Sequence, residues 1–527
     1  MEHLLAWPSA RGRVLAEVQR RIVGARVAQA VRGADHGLEY VLNDVAQQEI
    51  HRRESGNASS GEKKKLGEWY GLARRLGAMG DGEKQRRLEA LVRDYAEDVV
   101  GNFDPRVYKL AKQVLPPVLT GLLSPQSLAH GLTGVTDLSR RIEVDGPGDA
   151  LRTAARRGTL VVVPTHVSNL DSVVMGYSLD LLGLPPCMYG AGKNLWTNPV
   201  MGFFMRNLGA YRVDRRIKNA VYLDVLKEYA TVLSEFGFHQ MFFPGGTRSR
   251  SGAVERKLKL GLLGTAVKAY ENLLAAGSAK RIYVVPASIN LGITLEAETL
   301  IDDFLAEQGK QRYIIDDDES SKIGRVLAFY KKILALEGAV VIRYGRPLDP
   351  FGNAVDDDGE SLDARGRRVD PATYLCDVDG KVVPDAQRDA EYTRQLGETI
   401  ATSYQRLTVF LPTHLVARVI WDRLALAEGT RDVYRLLRRG DGFEVPVDVA
   451  RHELGALRER IAARPAAGVV HARVQAMRPG DVIDDALRAF AGYHGKPAVV
   501  RDGERLIVRD PRLVVYYQNR TAHLGAA

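Results

Sequence analysis

The chain has 527 residues, more than one hydrophobic core can organise, so roughly two to four domains are expected. Its composition, 45% hydrophobic and 26% charged, is that of an ordinary globular protein, and its two cysteines, Cys187 and Cys376, offer neither a disulfide framework nor a metal-ligand spacing. The net charge of +9 suits nucleic acid, an anionic membrane surface or phosphorylated ligands.

Residues 1 to about 135 read as helical. Val14–Arg32 and Leu38–Arg53 place apolar residues at three- and four-residue spacing among charges. Glu54–Lys65 reads as a polar break. Helical pattern resumes over Leu66–Met79, Lys84–Val100 and Pro105–Leu123. Met1–Arg13 has no apolar core of signal length, so no export signal is expected. No run approaches the ~18 apolar residues of a membrane-spanning helix.

The pattern then alternates. Strands are expected at Ile142–Asp145, Leu160–Val163, Pro186–Tyr189, Ala210–Val213, His239–Phe243, Ile282–Asn290 and Gly338–Tyr344. Helices are expected between them at Leu151–Arg157, Leu170–Leu182, Met201–Leu208, Lys218–Phe236 and Leu258–Ala275. Such repeated units predict an α/β fold, a mostly parallel sheet flanked by helices. The expected plan is a helical N-terminal domain over 1–135 and an α/β domain over 136–350. A polar surface insertion over 351–390 and a mainly helical C-terminal region over 391–527 complete it. Within the insertion Asp379-Gly380 reads as a hairpin turn; its Asp-rich stretches lack calcium-loop spacing. Helices follow at Tyr392–Leu407, Leu415–Ala427, Val447–Ala463 and Val482–Tyr493. A last strand pair, Ala498–Arg501 and Leu506–Arg509, turns at Asp502-Gly503.

Four stretches of the α/β region carry the candidate chemistry. The first is Pro164-Thr165-His166-Val167-Ser168-Asn169-Leu170-Asp171, a polar turn between a buried strand and a helix. An Asp one helical turn on can accept from one imidazole N–H, fix the tautomer and leave the other nitrogen to take a proton. Alone, the same spacing also fits a plain helix cap. The second is Gly209-Ala210-Tyr211-Arg212-Val213-Asp214-Arg215, where Arg215 closes a strand and suits bidentate contact with phosphate; upstream, Lys193 sits in a small-residue turn. The third is Phe243-Pro244-Gly245-Gly246-Thr247-Arg248-Ser249-Arg250. Glycine-turn N–H groups with Arg248 and Arg250 make an anion cradle, without the ending of a nucleotide P-loop. The fourth is Val285-Pro286-Ala287-Ser288-Ile289-Asn290, a buried strand that Pro286 marks as kinked or at an edge.

In this order and at these spacings, the four stretches resemble the motifs of the glycerolipid acyltransferases, over roughly Leu151–Leu348. The Lys193 turn, the long helical N-terminus and the ending Tyr516-Tyr517-Gln518-Asn519-Arg520-Thr521-Ala522-His523-Leu524 are most similar to the glycerol-3-phosphate and dihydroxyacetone-phosphate branch. Thr408–Thr413 echoes it more weakly.

The resemblance implies an enzyme that moves an acyl group from acyl-CoA or acyl carrier protein to glycerol 3-phosphate, with no cofactor and no metal. His166 would be the general base and Asp171 its orienting partner. Arg215, Arg248, Arg250 and Lys193 would hold the acceptor phosphate. Gly245, Gly246, Thr247 and Ser249 would form the third-motif turn, and Val285 and Pro286 would line the acyl side. Backbone N–H groups near the helix start would steady the oxyanion. The partners implied are the acyl donor, the phosphorylated glycerol and an anionic membrane surface. The chain is expected at the inner face of the cell membrane, in a reducing compartment, with no transmembrane helix. No zinc spacing, RNA-binding signature or basic tail accompanies the charge, which argues against a nucleic-acid binder.

Two departures stand out. Gly245 occupies the place where the third motif usually has Glu. Asp214 precedes Arg215, as in many lysophosphatidate enzymes. Lysophosphatidate and dihydroxyacetone phosphate are therefore alternative acceptors. A lipid- or phosphate-binding homologue with weakened catalysis is the alternative of another class.

Overall fold

Strand β2 (Gly158–Pro164) is a continuous apolar run because both its faces are covered. Its side chains alternate between two cores. Leu160 and Val162 pack with Leu151, Val174 and Met175 on one face; Val161 and Val163 pack with Leu263, Val267 and Tyr404 on the other. The computed structural model describes residues 2–525, apart from 32–36, 55–59, 113–141, 170, 197–198 and 309–339.

Around β2 runs a seven-stranded sheet. The other strands are β1 (Ile142–Asp145), β3 (Met188–Gly192), β4 (Ala210–Val213), β5 (Gln240–Met241), β6 (Arg281–Leu291) and β7 (Val340–Tyr344). Their order is β1-β7-β6-β2-β5-β3-β4, and all neighbours are parallel except β6 and β7. The expected mostly parallel α/β sheet is what forms. Strand β3 starts two residues later than expected, because Pro185 and Pro186 have no N–H for a ladder.

Pro286 is neither at an edge nor at a kink. It lies in β6, between β2 and β7. Its carbonyl accepts from Gly345 N at 2.8 Å, and Val284 exchanges both backbone bonds with Leu348 at 2.8 Å. The partner segment from Gly345 to Leu348 is one residue longer than the stretch it faces. That bulge removes the need for a donor at Pro286.

The N-terminal helices are α1 (Trp7–Val31), α2 (Leu38–Glu54), α3 (Ser60–Arg75) and α4 (Asp81–Val99). The expected break up to Lys65 is shorter, because the lysine run is a good helix former and joins α3. The expected helix from Pro105 is present over 105–112; its remainder lies outside the described residues, as do 338 and 339 of the last sheet strand.

Helices α5 (Gly148–Arg157), α6 (Asp171–Leu181), α7 (Pro199–Asn207), α8 (Ala220–Glu235) and α9 (Leu260–Ala275) belong to the sheet region, and α10 (Ala297–Gln308) follows β6. Asn219 caps α8 by accepting from Tyr222 N at 2.9 Å. Buried Val221, Tyr222, Val225, Leu226 and Tyr229 then form the apolar stripe that the N-terminal helices cover.

The hairpin turn at Asp379-Gly380 is present, with Cys376 bridged to Val382. Helix α11 (Ala386–Leu407) follows, capped by Asp385. The C-terminal region packs around α12 (Pro412–Glu428), with α13 (Val433–Gly440), α14 (Val447–Ala462), α15 (Pro479–Tyr493) and α16 (Pro511–Gln518). The expected last hairpin pairs Val499–Asp502 with Arg505–Val508, and the segment Glu444–Pro446, which the sequence reading did not anticipate, adds a third strand.

Trp7 is fully buried and meets Phe238 edge-on at 5.2 Å, so the N-terminal helices and the sheet region share one core. Trp7→Ala is expected to destabilise the fold by roughly 3–5 kcal/mol. A drop in the thermal midpoint followed by circular dichroism checks this.

Candidate functional site

Parallel strands deliver their following turns to one edge of the sheet, so β2, β4 and β5 place the first three motifs together at their carboxyl ends. The turn after β2 is tied down from several sides. Tyr404 OH donates to Val163 O at 2.9 Å. Thr165 N donates to Ala287 O at 3.0 Å, and its Oγ1 accepts from Ile289 N at 2.9 Å. Ser249 N, from the third motif, donates to His166 O at 2.8 Å.

Within this frame Asp171 Oδ2 lies 2.8 Å from His166 Nδ1. The same oxygen accepts from Val167 N at 2.6 Å and Ser168 N at 2.9 Å. Asp171 is 1% exposed and begins α6, so one carboxylate both closes the turn and orients the imidazole. The His166 ring stacks on Phe243, with centroids 4.2 Å apart. This leaves Nε2 as the nitrogen for a reacting proton.

The four backbone N–H groups of the turn are occupied. His166 N donates to Glu255 Oε1 at 3.1 Å, Val167 N and Ser168 N to Asp171, and Asn169 N to Glu296 Oε1 at 3.1 Å. Buried carboxylates hold all four, so these N–H groups are not free for an oxyanion.

Arg215, Arg248 and Arg250 lie near enough for their charges to act on one another. Burial around its head group, followed by the like charges of Arg248 and Arg250, pushes the Arg215 pKa down. Arg248 stands 3.2 Å from Glu296, and Arg250 pairs with Glu307 of α10. Lys193 is held differently: its Nζ lies 3.4 Å from Asp214 and 3.9 Å from Asp98. Burial raises the Asp214 pKa, but hydrogen bonds from Arg216 and the charges of Arg216 and Lys193 outweigh it and bring it to about 2. Asp214 thus ties its own turn to Arg216 and to the Lys193 turn.

In the third-motif turn Gly246 takes φ +76°, a conformation that favours glycine. Thr247 is half-buried there, and Ser249 Oγ donates to Ala253 O at 2.7 Å. Val285 and Pro286 do not line an open surface. Both are buried in β6, Val285 within the core that also holds Leu151, Val162 and Val174.

Three charged residues near the site were missed in the sequence reading. Glu296 is fully buried, accepts from Ser168 Oγ at 3.0 Å, and has its pKa raised by burial against the opposing pull of Arg248. Glu255 holds the His166 N–H. Arg520 is buried and donates to Ile289 O and Asn290 Oδ1, each at 2.8 Å. A faint signal existed for two of them. Glu296 follows directly on Ile293-Thr294-Leu295, and Glu255 is the one acid beside Arg256, Lys257 and Lys259.

Residues 141–290, which hold the His166–Asp171 pair and the arginine turns, match the family model Acyltransferase. The chain is 27% identical over 292 residues to a glycerol-3-phosphate acyltransferase of Pseudomonas fluorescens strain Pf0-1, covering 55% of this chain and 31% of that protein. It is 31% identical over 202 residues to a glycerol-3-phosphate acyltransferase of Xanthomonas axonopodis pv. citri, covering 38% and 21%. The chain thus spans about a third or less of the curated relatives it matches. Among solved structures, the 1-acyl-sn-glycerophosphate (LPA) acyltransferase PlsC from Thermotoga maritima aligns with 56% of this chain and 92% of its own, at 15% identity and a TM-score of 0.27.

The C-terminal end closes over the sheet region. Asn519 Nδ2 donates to Ser251 O at 2.8 Å, and a Cβ on Gly252, whose φ is +77°, would lie 2.2 Å from Tyr516 O. Gly252→Ala is expected to destabilise the protein by roughly 1–3 kcal/mol through this contact and the strained φ. Thermal unfolding of the variant against the parent measures it.

Proposed function

We propose that this chain moves an acyl group from an acyl thioester, acyl-CoA or an acylated carrier protein, to a hydroxyl of glycerol 3-phosphate. The observation that carries the reading is the His166–Asp171 pair at 2.8 Å, with Asp171 buried and Nε2 left for a substrate proton. The coupled Arg215, Arg248 and Arg250 supply the anion site that a phosphorylated acceptor needs beside such a base. The relatives' names support the same acceptor.

In the proposed route Nε2 takes the proton of the acceptor hydroxyl as its oxygen attacks the thioester carbonyl. Asp171 stabilises the imidazolium that forms. The tetrahedral intermediate collapses, the C–S bond breaks, and the thiolate leaves with the proton returned from Nε2. Positioning both substrates against the base can supply at most roughly 7–11 kcal/mol of barrier reduction. The oxyanion must be steadied by groups other than the N–H groups of residues 166–169, which carboxylates hold. The route uses no metal and no cofactor beyond the acyl donor.

His166→Ala is expected to lower kcat/KM by roughly 10²–10⁴-fold. Thiol release from acyl-CoA with glycerol 3-phosphate, lysophosphatidate and dihydroxyacetone phosphate as parallel acceptors checks the base and ranks the acceptors. Full activity in the variant would remove His166 from the mechanism. Thermal stabilisation by these acceptors, with no turnover from any donor, would favour a binding protein instead.

Among the described residues no helix is long and apolar enough to cross a membrane. Contact with an anionic membrane surface is part of the proposal, supported by the +9 charge and by Phe203, which is 51% exposed on α7. Co-sedimentation with phosphatidylglycerol vesicles is expected, falling as salt rises and absent with phosphatidylcholine alone.

A further inference from the structure

The third motif of this chain has Gly245 where a glutamate is usual, yet a carboxyl group stands at that place. A Cβ built on Gly245 would lie 2.5 Å from Glu255 Oε1 and 2.8 Å from Glu255 Cδ. Gly245 does not adopt a positive φ, so its backbone would accept a side chain. What excludes one is the Glu255 side chain, arriving from ten residues downstream.

That carboxyl group is not idle. Oε1 accepts the backbone N–H of His166 at 3.1 Å, and Oε2 is sunk in protein. Ser249 N holds the carbonyl of the same residue. His166 is thus gripped at both backbone polar groups by the third-motif loop, and its ring direction follows from that grip and from Asp171. Facing Glu255 are the charges of Arg520, from the C-terminal end, and Asp171. Burial raises its pKa to about 8, although the His166 N–H and Arg520 pull the other way. The opposed charge of Arg520 and the proton that burial favours are two ways of tolerating a carboxyl group there.

We propose that Glu255 is a positioning residue for acyl transfer, its carboxyl group substituting from position 255 for the carboxylate absent at 245 and holding the His166 backbone so that the imidazole stays aligned on Asp171. The catalytic part of this inference rests on the acyltransferase reading above; the sharing of one space by residue 245 and Glu255 does not.

Two measurements on the whole chain test it. In thermal unfolding, G245A is expected to lower the midpoint by a few degrees, and E255A is expected to relieve that loss in G245A/E255A, because the new methyl enters the vacated space. Purely additive effects would overturn the shared space. In steady-state acyl transfer from acyl-CoA to glycerol 3-phosphate, E255A is expected to lower kcat by roughly 10–100-fold, with KM changed less. E255Q keeps an acceptor oxygen and is expected to stay within a few-fold of the parent. Restoring the carboxylate in G245E/E255A is expected to recover at least tenfold over G245A/E255A, which a space-filling role alone would not produce. Parental kcat in E255A, or no difference between those two double variants, would overturn the proposal. Should E255A fail to fold, the two double variants carry the same decision. An inactive parent chain would overturn the acyltransferase reading itself, an outcome distinct from an active parent with an equally active E255A.

Discussion

A single carboxylate oxygen holds the site together. Asp171 Oδ2 takes the Nδ1 side of His166 and two backbone N–H groups, with almost no solvent contact. An ionised carboxylate is tolerated under such burial only with donors around it, and here the donors are the turn itself. Capping a helix and orienting a base are therefore one act. The structural reading of His166 and the proposed catalytic one rest on the same contacts, because the cap is what makes the imidazole directional.

The surroundings follow from that arrangement. Glu296 closes the far side of the turn through Ser168 and Asn169, and stands against Arg248. Glu255 closes the near side through His166. Three buried acids around one turn would repel one another without cations between them. Arg248 and Arg520 supply these, one from the third motif and one from the C-terminal end. The C-terminal region is thus joined to the sheet region by charge as well as by packing. Arg520 reaches β6 at Ile289 and Asn290, while Asn290 Oδ1 also accepts from Val409 N at 3.0 Å, at the head of α12.

Much of this was legible in the order of residues. A strand buried on both faces must be apolar throughout, so Leu160–Val163 announced itself, as did the helical stripe of α8 and the glycine-arginine turns. Departures arose where a neighbour decides. Pro286 read as a kink or an edge because its partner segment, with its extra residue, lies about sixty residues away. Val285 read as an acyl-side residue, though its side chain is buried in the core with Val162 and Ile342. The two acids beside Lys193, Asp98 and Asp214, were not legible because they come from separate parts of the chain.

Local sequence determined the elements and the His166–Asp171 pair. Periodicity, capping residues and turn chemistry act over a few residues, and His166 and Asp171 are only five apart. Tertiary structure decided which charges meet. Glu255 and Gly245 share a space, and Glu296, Arg248 and Arg520 surround one turn, because burial selects partners by proximity in space. Sequence separation carries no record of that. The missing carboxylate of the third motif was therefore visible in the chain, while its replacement was visible only in the fold.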